Sequence, residues 1–125
     1  VHRDLAARNI LVGETHETIK LADFGLARCL NDDSMYYMNN HDLFPHKWSA
    51  PEAFVIFDSG GNLKKAGKST TESDVWSFAV VLWELYTKGA EPYLGLSGLE
   101  LYYKLTEDNV RLENNPDVIP NMVFE

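Results

Sequence analysis

The chain has 125 residues, 45% of them hydrophobic, a content that fits one globular core and not a disordered segment. Its net charge of −8 argues against nucleic acid or an anionic membrane surface as the main partner. A single cysteine, Cys29, excludes an internal disulfide framework and suits a reducing compartment. The longest apolar run, Phe78 to Trp83, is far too short for a membrane span. The chain opens on Val-His-Arg-Asp, with no apolar stretch of signal or transit type, and reads as a fragment.

Ile10-Leu11-Val12 and Ile19-Lys20-Leu21-Ala22 are short apolar runs of strand type. Gly13 to Thr18 between them has turn composition, so the pattern predicts a β-hairpin. A hairpin sets the relative position of its two open ends. Asn9, just before the first strand, and Asp23, just after the second, therefore share one end, with Asp4 one loop away. Two oxygen ligands and a third carboxylate suit a magnesium ion bound to phosphates, which keeps few protein ligands.

His2-Arg3-Asp4-Leu5-x-x-x-Asn9, Asp23-Phe24-Gly25 and Ala50-Pro51-Glu52 follow in the order of three protein-kinase signatures, and the chain resembles that family. The resemblance implies a protein-kinase-like α+β fold, mostly α, of which residues 1–125 form part of the large C-terminal lobe. A small β-hairpin would carry the catalytic loop, residues 1–9, and the metal-binding loop that opens an activation segment over residues 23–52. By the same resemblance Asp4 is the catalytic base, Asn9 and Asp23 hold magnesium (or manganese), and Arg8, Asn9, Leu11 and Asp23 face ATP. Ala6-Ala7-Arg8 resembles the tyrosine-kinase form of the loop, in which the arginine serves substrate and phosphate. Leu11 would form the floor under the adenine ring while Ile10 and Val12 face the core. Phe24 would pack under His2, which makes His2 a packing residue.

From Leu26 to Phe44 periodicity disappears and the composition becomes that of a loop. Tyr36 and Tyr37 there resemble autophosphorylation sites, with Arg3 and Arg28 the candidates to pair with the phosphate. Met38-Asn39-Asn40 departs from the basic residues that commonly follow such tyrosines in relatives. A tyrosine hydroxyl lies farther from its backbone than a serine hydroxyl, so its kinase needs a platform of different shape. Pro45, Lys47 and Trp48 match that platform, and Ser49 is a departure at a position expected to face substrate. Glu52 resembles a buried glutamate that pairs with an arginine late in complete kinase domains. That arginine's segment is not in this sequence, which predicts an isolated chain that is unstable or needs its missing parts.

Residues 56–67 have the glycines and charges of a tolerated surface loop and look like an insertion. Their Gly60-Gly61 and Lys64-Lys65 lack the spacing of a phosphate-binding loop. A helix over residues 72–88 follows, with Thr71 as its cap, Asp74 three residues on and Gly89 as its stop. Val75, Trp76, Phe78, Val80, Val81, Trp83 and Leu85 surround it, so it reads as buried on all sides. Asp74 in so apolar a setting needs partners. In kinases the matching aspartate accepts hydrogen bonds from the backbone of the catalytic loop. Glu91 to Gly95 reads as a turn, and Ser97 to Thr106 as a moderately amphipathic helix.

The resemblance as a whole implies part of a protein tyrosine kinase, transferring the ATP γ-phosphoryl group to tyrosine hydroxyls of protein substrates, with magnesium. Its partners would be those proteins and the absent N-terminal lobe, and this piece alone would be inactive. It would work on the cytoplasmic side, at the plasma membrane if the parent is a receptor and in the cytosol otherwise. A non-catalytic kinase-like scaffold and a truncated regulatory product are the rival readings.

Overall fold

A computed structural model describes residues 1–29 and 44–113. Its regular elements are β1 (Ile10–Val12), β2 (Ile19–Leu21), β3 (Ile56–Phe57), β4 (Leu63–Lys65), α1 (Thr71–Tyr86) and α2 (Gly98–Thr106). Single 3-10 turns at Ala7–Asn9, His46–Trp48 and Pro51–Ala53 carry the chain between them.

Strands β1 and β2 pair antiparallel, with Ile10 opposite Leu21, Leu11 opposite Lys20 and Val12 opposite Ile19. The Ala22 N–H donates to the Asn9 carbonyl at 2.8 Å and extends the ladder to the open end. The expectation that Val12 faces the core is corrected: Leu11 and Val12 are 56% and 58% exposed, and only Ile10 is half-buried. A ribbon buries a side chain only where a second layer covers it, and these strands pack mainly on each other.

Residues 56–67 are an ordered hairpin where a loop was expected. Strands β3 and β4 pair antiparallel with a bulge between Ile56 and Phe57. Asp58 Oδ1 closes the turn by accepting from the N–H groups of Gly60 (2.9 Å) and Asn62 (2.8 Å), and Gly61 supplies the left-handed residue at φ +81°. Lys65 Nζ donates to the Glu52 carbonyl at 3.1 Å, tying this ribbon to the turn at Pro51–Ala53.

Helix α1 starts one residue earlier than its sequence pattern suggests. Thr70 is the cap: its hydroxyl accepts from Ser73 N–H at 3.2 Å, and Ser73 Oγ accepts from Thr70 N–H at 2.9 Å. The expected pairing of Thr71 with Asp74 does not form because the Asp74 carboxylate is engaged by the catalytic loop. The helix ends as Gly89, at φ +86°, donates its N–H to the Glu84 carbonyl at 2.7 Å.

Burial around α1 corrects a second expectation. Its buried residues are Ser73, Ser77, Val80, Val81 and Glu84, a stripe at helical spacing. Val75, Phe78 and Leu85 on other faces are 68%, 50% and 59% exposed. On that inner face the Ser73 and Ser77 hydroxyls donate to the nearby Thr70 and Ser73 carbonyls, and Val80 and Val81 supply apolar contact. Glu84 accepts from the backbone N–H of Ala7 in the preceding loop, which needs a partner.

Ser97 caps α2 by accepting from Glu100 N–H at 3.4 Å. Leu101 and Leu105, one turn apart, bury against Phe54, with Phe44, Ile56, Trp76 and Tyr102 around them. The Phe54 ring lies 6.0 Å from Phe44 and 5.6 Å from Tyr102, within the range of favourable tilted aromatic pairs. This cluster anchors the segment after His46–Trp48 and so positions the candidate site.

Candidate active site

Asp74, in the first turn of α1, organises the start of the chain. Its Oδ2 accepts from His2 N–H at 2.7 Å and its Oδ1 from Arg3 N–H at 3.0 Å. The two bonds hold Arg3 at φ 71°, a left-handed conformation uncommon for a residue with a side chain. Burial first, and then the charge of nearby Arg28, pull the Arg3 guanidinium below its ordinary pKa, while Asp74 acts the other way.

The His2 ring is fixed at both nitrogens. Nε2 faces the Ala22 carbonyl at 3.1 Å, and Nδ1 faces the Asp4 N–H at 3.3 Å. A carbonyl accepts and an N–H donates, so the ring hydrogen belongs on Nε2. Phe24 leans on the same ring, with centroids 4.9 Å apart. His2 thus joins the catalytic loop to the end of β2 by packing and hydrogen bonds.

Asp4 sits between two partners. Arg8 makes an ion pair with its Oδ1, and Asn9 Nδ2 donates to its Oδ2 at 3.0 Å and to its backbone carbonyl at 2.8 Å. With its NH₂ group turned to Asp4, Asn9 keeps Oδ1 without a hydrogen-bond partner among the described residues. Across the hairpin mouth Asp23, exposed and left-handed at φ 59°, accepts from Gly25 N–H at 3.3 Å. Among the described residues no three His, Cys, Asp or Glu side chains form a metal cage. Asn9 Oδ1 and the exposed Asp23 carboxylate are oxygen donors of the type that magnesium takes, at the same end of the hairpin.

The segment from Pro45 to Trp48 lies against this loop. Pro45 is buried, and Lys47 makes an ion pair with Glu91. The Trp48 ring supports the Arg8 guanidinium 4.5 Å from its centroid, and its Nε1 donates to Glu84 Oε2 at 2.9 Å. Arg8 therefore touches both Asp4 and Trp48.

Two sequence expectations change here. Ser49, expected to face substrate, is buried, and its hydroxyl donates to the Pro45 carbonyl at 2.8 Å. A short hydroxyl on a tight turn reaches the carbonyl behind it more readily than a ligand in front. Glu52, expected to be buried, is exposed, and its carboxylate makes no ion pair among the described residues. A carboxylate without a cationic partner is cheaper to leave in water. Leu11 is likewise exposed, and Tyr36 and Tyr37 lie outside the described residues.

Sequence reading missed Glu84, a buried carboxylate that accepts from the Ala7 N–H and the Trp48 indole, each at 2.9 Å. The signal was a lone acid inside the apolar run from Val80 to Leu85. Such a residue on a buried helix face calls for donors from elsewhere in the fold.

A catalytic-type loop anchored on a helix start, beside a hairpin mouth with two oxygen donors, is an arrangement of protein-kinase class. Comparison with known proteins agrees: the family described as protein tyrosine and serine/threonine kinase matches residues 1–124. The chain belongs to that family. It is 43% identical over its full 125 residues to the tyrosine-protein kinase transforming protein Abl of Abelson murine leukemia virus, covering 15% of that protein. It is 42% identical over 122 residues to tyrosine-protein kinase Abl of Drosophila melanogaster, covering 98% of this chain and 7% of the relative. The insulin-like growth factor 1 receptor of Bos taurus is also 42% identical over 125 residues, all of this chain and 18% of the receptor. The chain thus spans less than a fifth of the length of each of these relatives. No helix among the described residues is long and apolar enough to cross a membrane.

Proposed function

We propose that the protein containing this chain is a tyrosine kinase that transfers the γ-phosphoryl group of ATP to tyrosine hydroxyls of protein substrates. The observation that carries the reading is Arg8, which pairs with Asp4 while lying on the face of Trp48. One guanidinium thereby links the carboxylate proposed as base to the turn proposed as substrate platform.

Asp4 accepts the hydroxyl proton in this reading, and the Asn9 amide and Arg8 hold its two oxygens in place. Asn9 and Asp23 would hold magnesium, which neutralises phosphate charge when bound. Pro45, Lys47 and Trp48 support the acceptor segment. Arg3 and Arg28 are the candidates on this chain to pair with a phosphate on Tyr36 or Tyr37. Use of ATP places the domain on the cytoplasmic side of the cell, at the plasma membrane for a receptor parent and in the cytosol otherwise. The 125-residue sequence contains no G-x-G-x-x-G motif, and the activity is proposed for the whole protein and not for this piece.

The test is phosphate transfer from labelled ATP to a tyrosine peptide by the full-length protein and its Asp4→Asn variant. The variant should lose about 100- to 10,000-fold in kcat while still binding ATP. A variant with near wild-type turnover, or transfer to serine peptides alone, would refute the proposal.

A further inference from the structure

Glu84 has a part in the site that its chemistry does not require. It lies on the buried stripe of α1, is 8% exposed and forms no ion pair among the described residues. A carboxylate in that setting is tolerable only when hydrogen bonds replace water. Its Oε2 accepts two, from the Ala7 backbone N–H 77 residues away in the chain and the Trp48 indole N–H 36 residues away. One oxygen atom therefore sets the spacing between the catalytic loop and the turn at His46–Trp48.

The consequence passes through a short sequence of contacts. Trp48 is oriented by the bond from its indole nitrogen to Glu84, and the face so presented carries Arg8 at 4.5 Å. Arg8 in turn pairs with Asp4. On the other branch, the Ala7 N–H holds the loop that carries Arg8 and Asn9.

We propose that Glu84 is a positioning residue that fixes the register between the loop bearing the base and the platform holding the acceptor tyrosine. The inference rests on the tyrosine-kinase reading above. It assigns Glu84 no contact with substrate; the residue acts through Ala7 and Trp48. Binding of the acceptor peptide and turnover should both depend on it, whereas binding of ATP, at Asn9 and Asp23, should depend on it little, because Asn9 is also held by its own bonds to Asp4 and by the Ala22 N–H of the hairpin.

The test uses steady-state kinetics of the full-length protein with a tyrosine peptide and with ATP. Glu84→Ala should lower kcat/KM for the peptide by about tenfold to a hundredfold, the range for removing hydrogen bonds to a charged group. The loss should fall on both kcat and peptide KM, with ATP KM held within about twofold. Glu84→Gln, which keeps an oxygen for both donors, should restore most of the activity. Trp48→Phe removes the indole N–H, so it should raise the peptide KM, and combining it with Glu84→Ala should cost less than the two losses together.

A purely stabilising Glu84 predicts something else: fewer active molecules, hence a lower kcat with both KM values unchanged. That result overturns the inference. If Glu84→Ala does not fold, Glu84→Gln and Trp48→Phe decide it, and an unchanged peptide KM in Trp48→Phe overturns it. Asp4→Asn separates this from the parent reading. Persistent activity in Asp4→Asn removes both, whereas loss there beside wild-type kinetics in Glu84→Ala and Trp48→Phe removes this inference alone.

Discussion

Removing the carboxylate of Asp74 should loosen the catalytic loop more than any surface change on α1. Asp74→Ala deletes two bonds to backbone N–H groups, at 2.7 Å from His2 and 3.0 Å from Arg3. Hydrogen bonds to a charged acceptor contribute about 1.5–3 kcal/mol each, so the pair amounts to roughly 3–6 kcal/mol. Part returns, because Arg3 at φ 71° can relax once it is released, recovering about 1 kcal/mol of backbone strain. The net cost is about 2–5 kcal/mol, with the lower half favoured because Asp74 is only half-buried. Asp74→Asn keeps one accepting oxygen but turns an NH₂ toward the other donor, so it should cost roughly 1.5–3 kcal/mol. Urea unfolding of the full-length protein, with the slope checked for constancy, measures both values. Turnover should fall as well, because His2, Arg3 and Asp4 lose their common anchor. An Asp74→Ala protein with wild-type turnover and a stability loss below about 0.5 kcal/mol would refute the reasoning.

Gly67 lies against the backbone of Ala53, where an added Cβ would collide with the carbonyl oxygen and come within 2.6 Å of the carbonyl carbon. Backbone cannot step aside as a side chain can, so Gly67→Ala should cost about 2–3 kcal/mol, seen as a fall of several degrees in Tm; an unchanged Tm would contradict it. Burial raises the pKa of the Tyr93 phenol above its ordinary 10.0, with Arg111 opposing the shift. The folded state therefore favours the neutral phenol, and this contribution is complete below about pH 10 and lost as pH rises through the higher folded value. Stability measured against pH should decline in that alkaline window, and Tyr93→Phe should remove that part of the decline; an identical profile in the variant would count against it.

Features that depend on near neighbours in the chain were open to sequence reading. The β1–β2 hairpin follows from two apolar runs around a polar turn, and its ends place Asn9 and Asp23 at one mouth whatever the rest of the protein does. The α2 helix follows in the same way from Ser97 and the spacing of Leu101 and Leu105. The hairpin within residues 56–67 was only partly legible: Asp58-Ser59-Gly60-Gly61-Asn62 is a turn sequence after the apolar run Phe54 to Phe57, but the second strand, Leu63-Lys64-Lys65, carries a single apolar residue.

What local pattern could supply for α1 was the helix and its approximate ends, because capping and propensity act within a few residues. Which face would be buried was decided by the tertiary structure. Composition favoured Val75, Phe78 and Leu85, yet Ser73, Ser77 and Glu84 lie inside. For Glu84 the reason is that the Ala7 backbone N–H and the Trp48 indole N–H arrive there and must be satisfied, and nothing near it in the chain announces them. The Ser73 and Ser77 hydroxyls turn inward onto the Thr70 and Ser73 carbonyls. By itself the sequence determined the family and the residues at the hairpin mouth. The three-dimensional fold alone decided how the base, its arginine and the platform are held together, since those bonds join segments 77 and 36 residues apart.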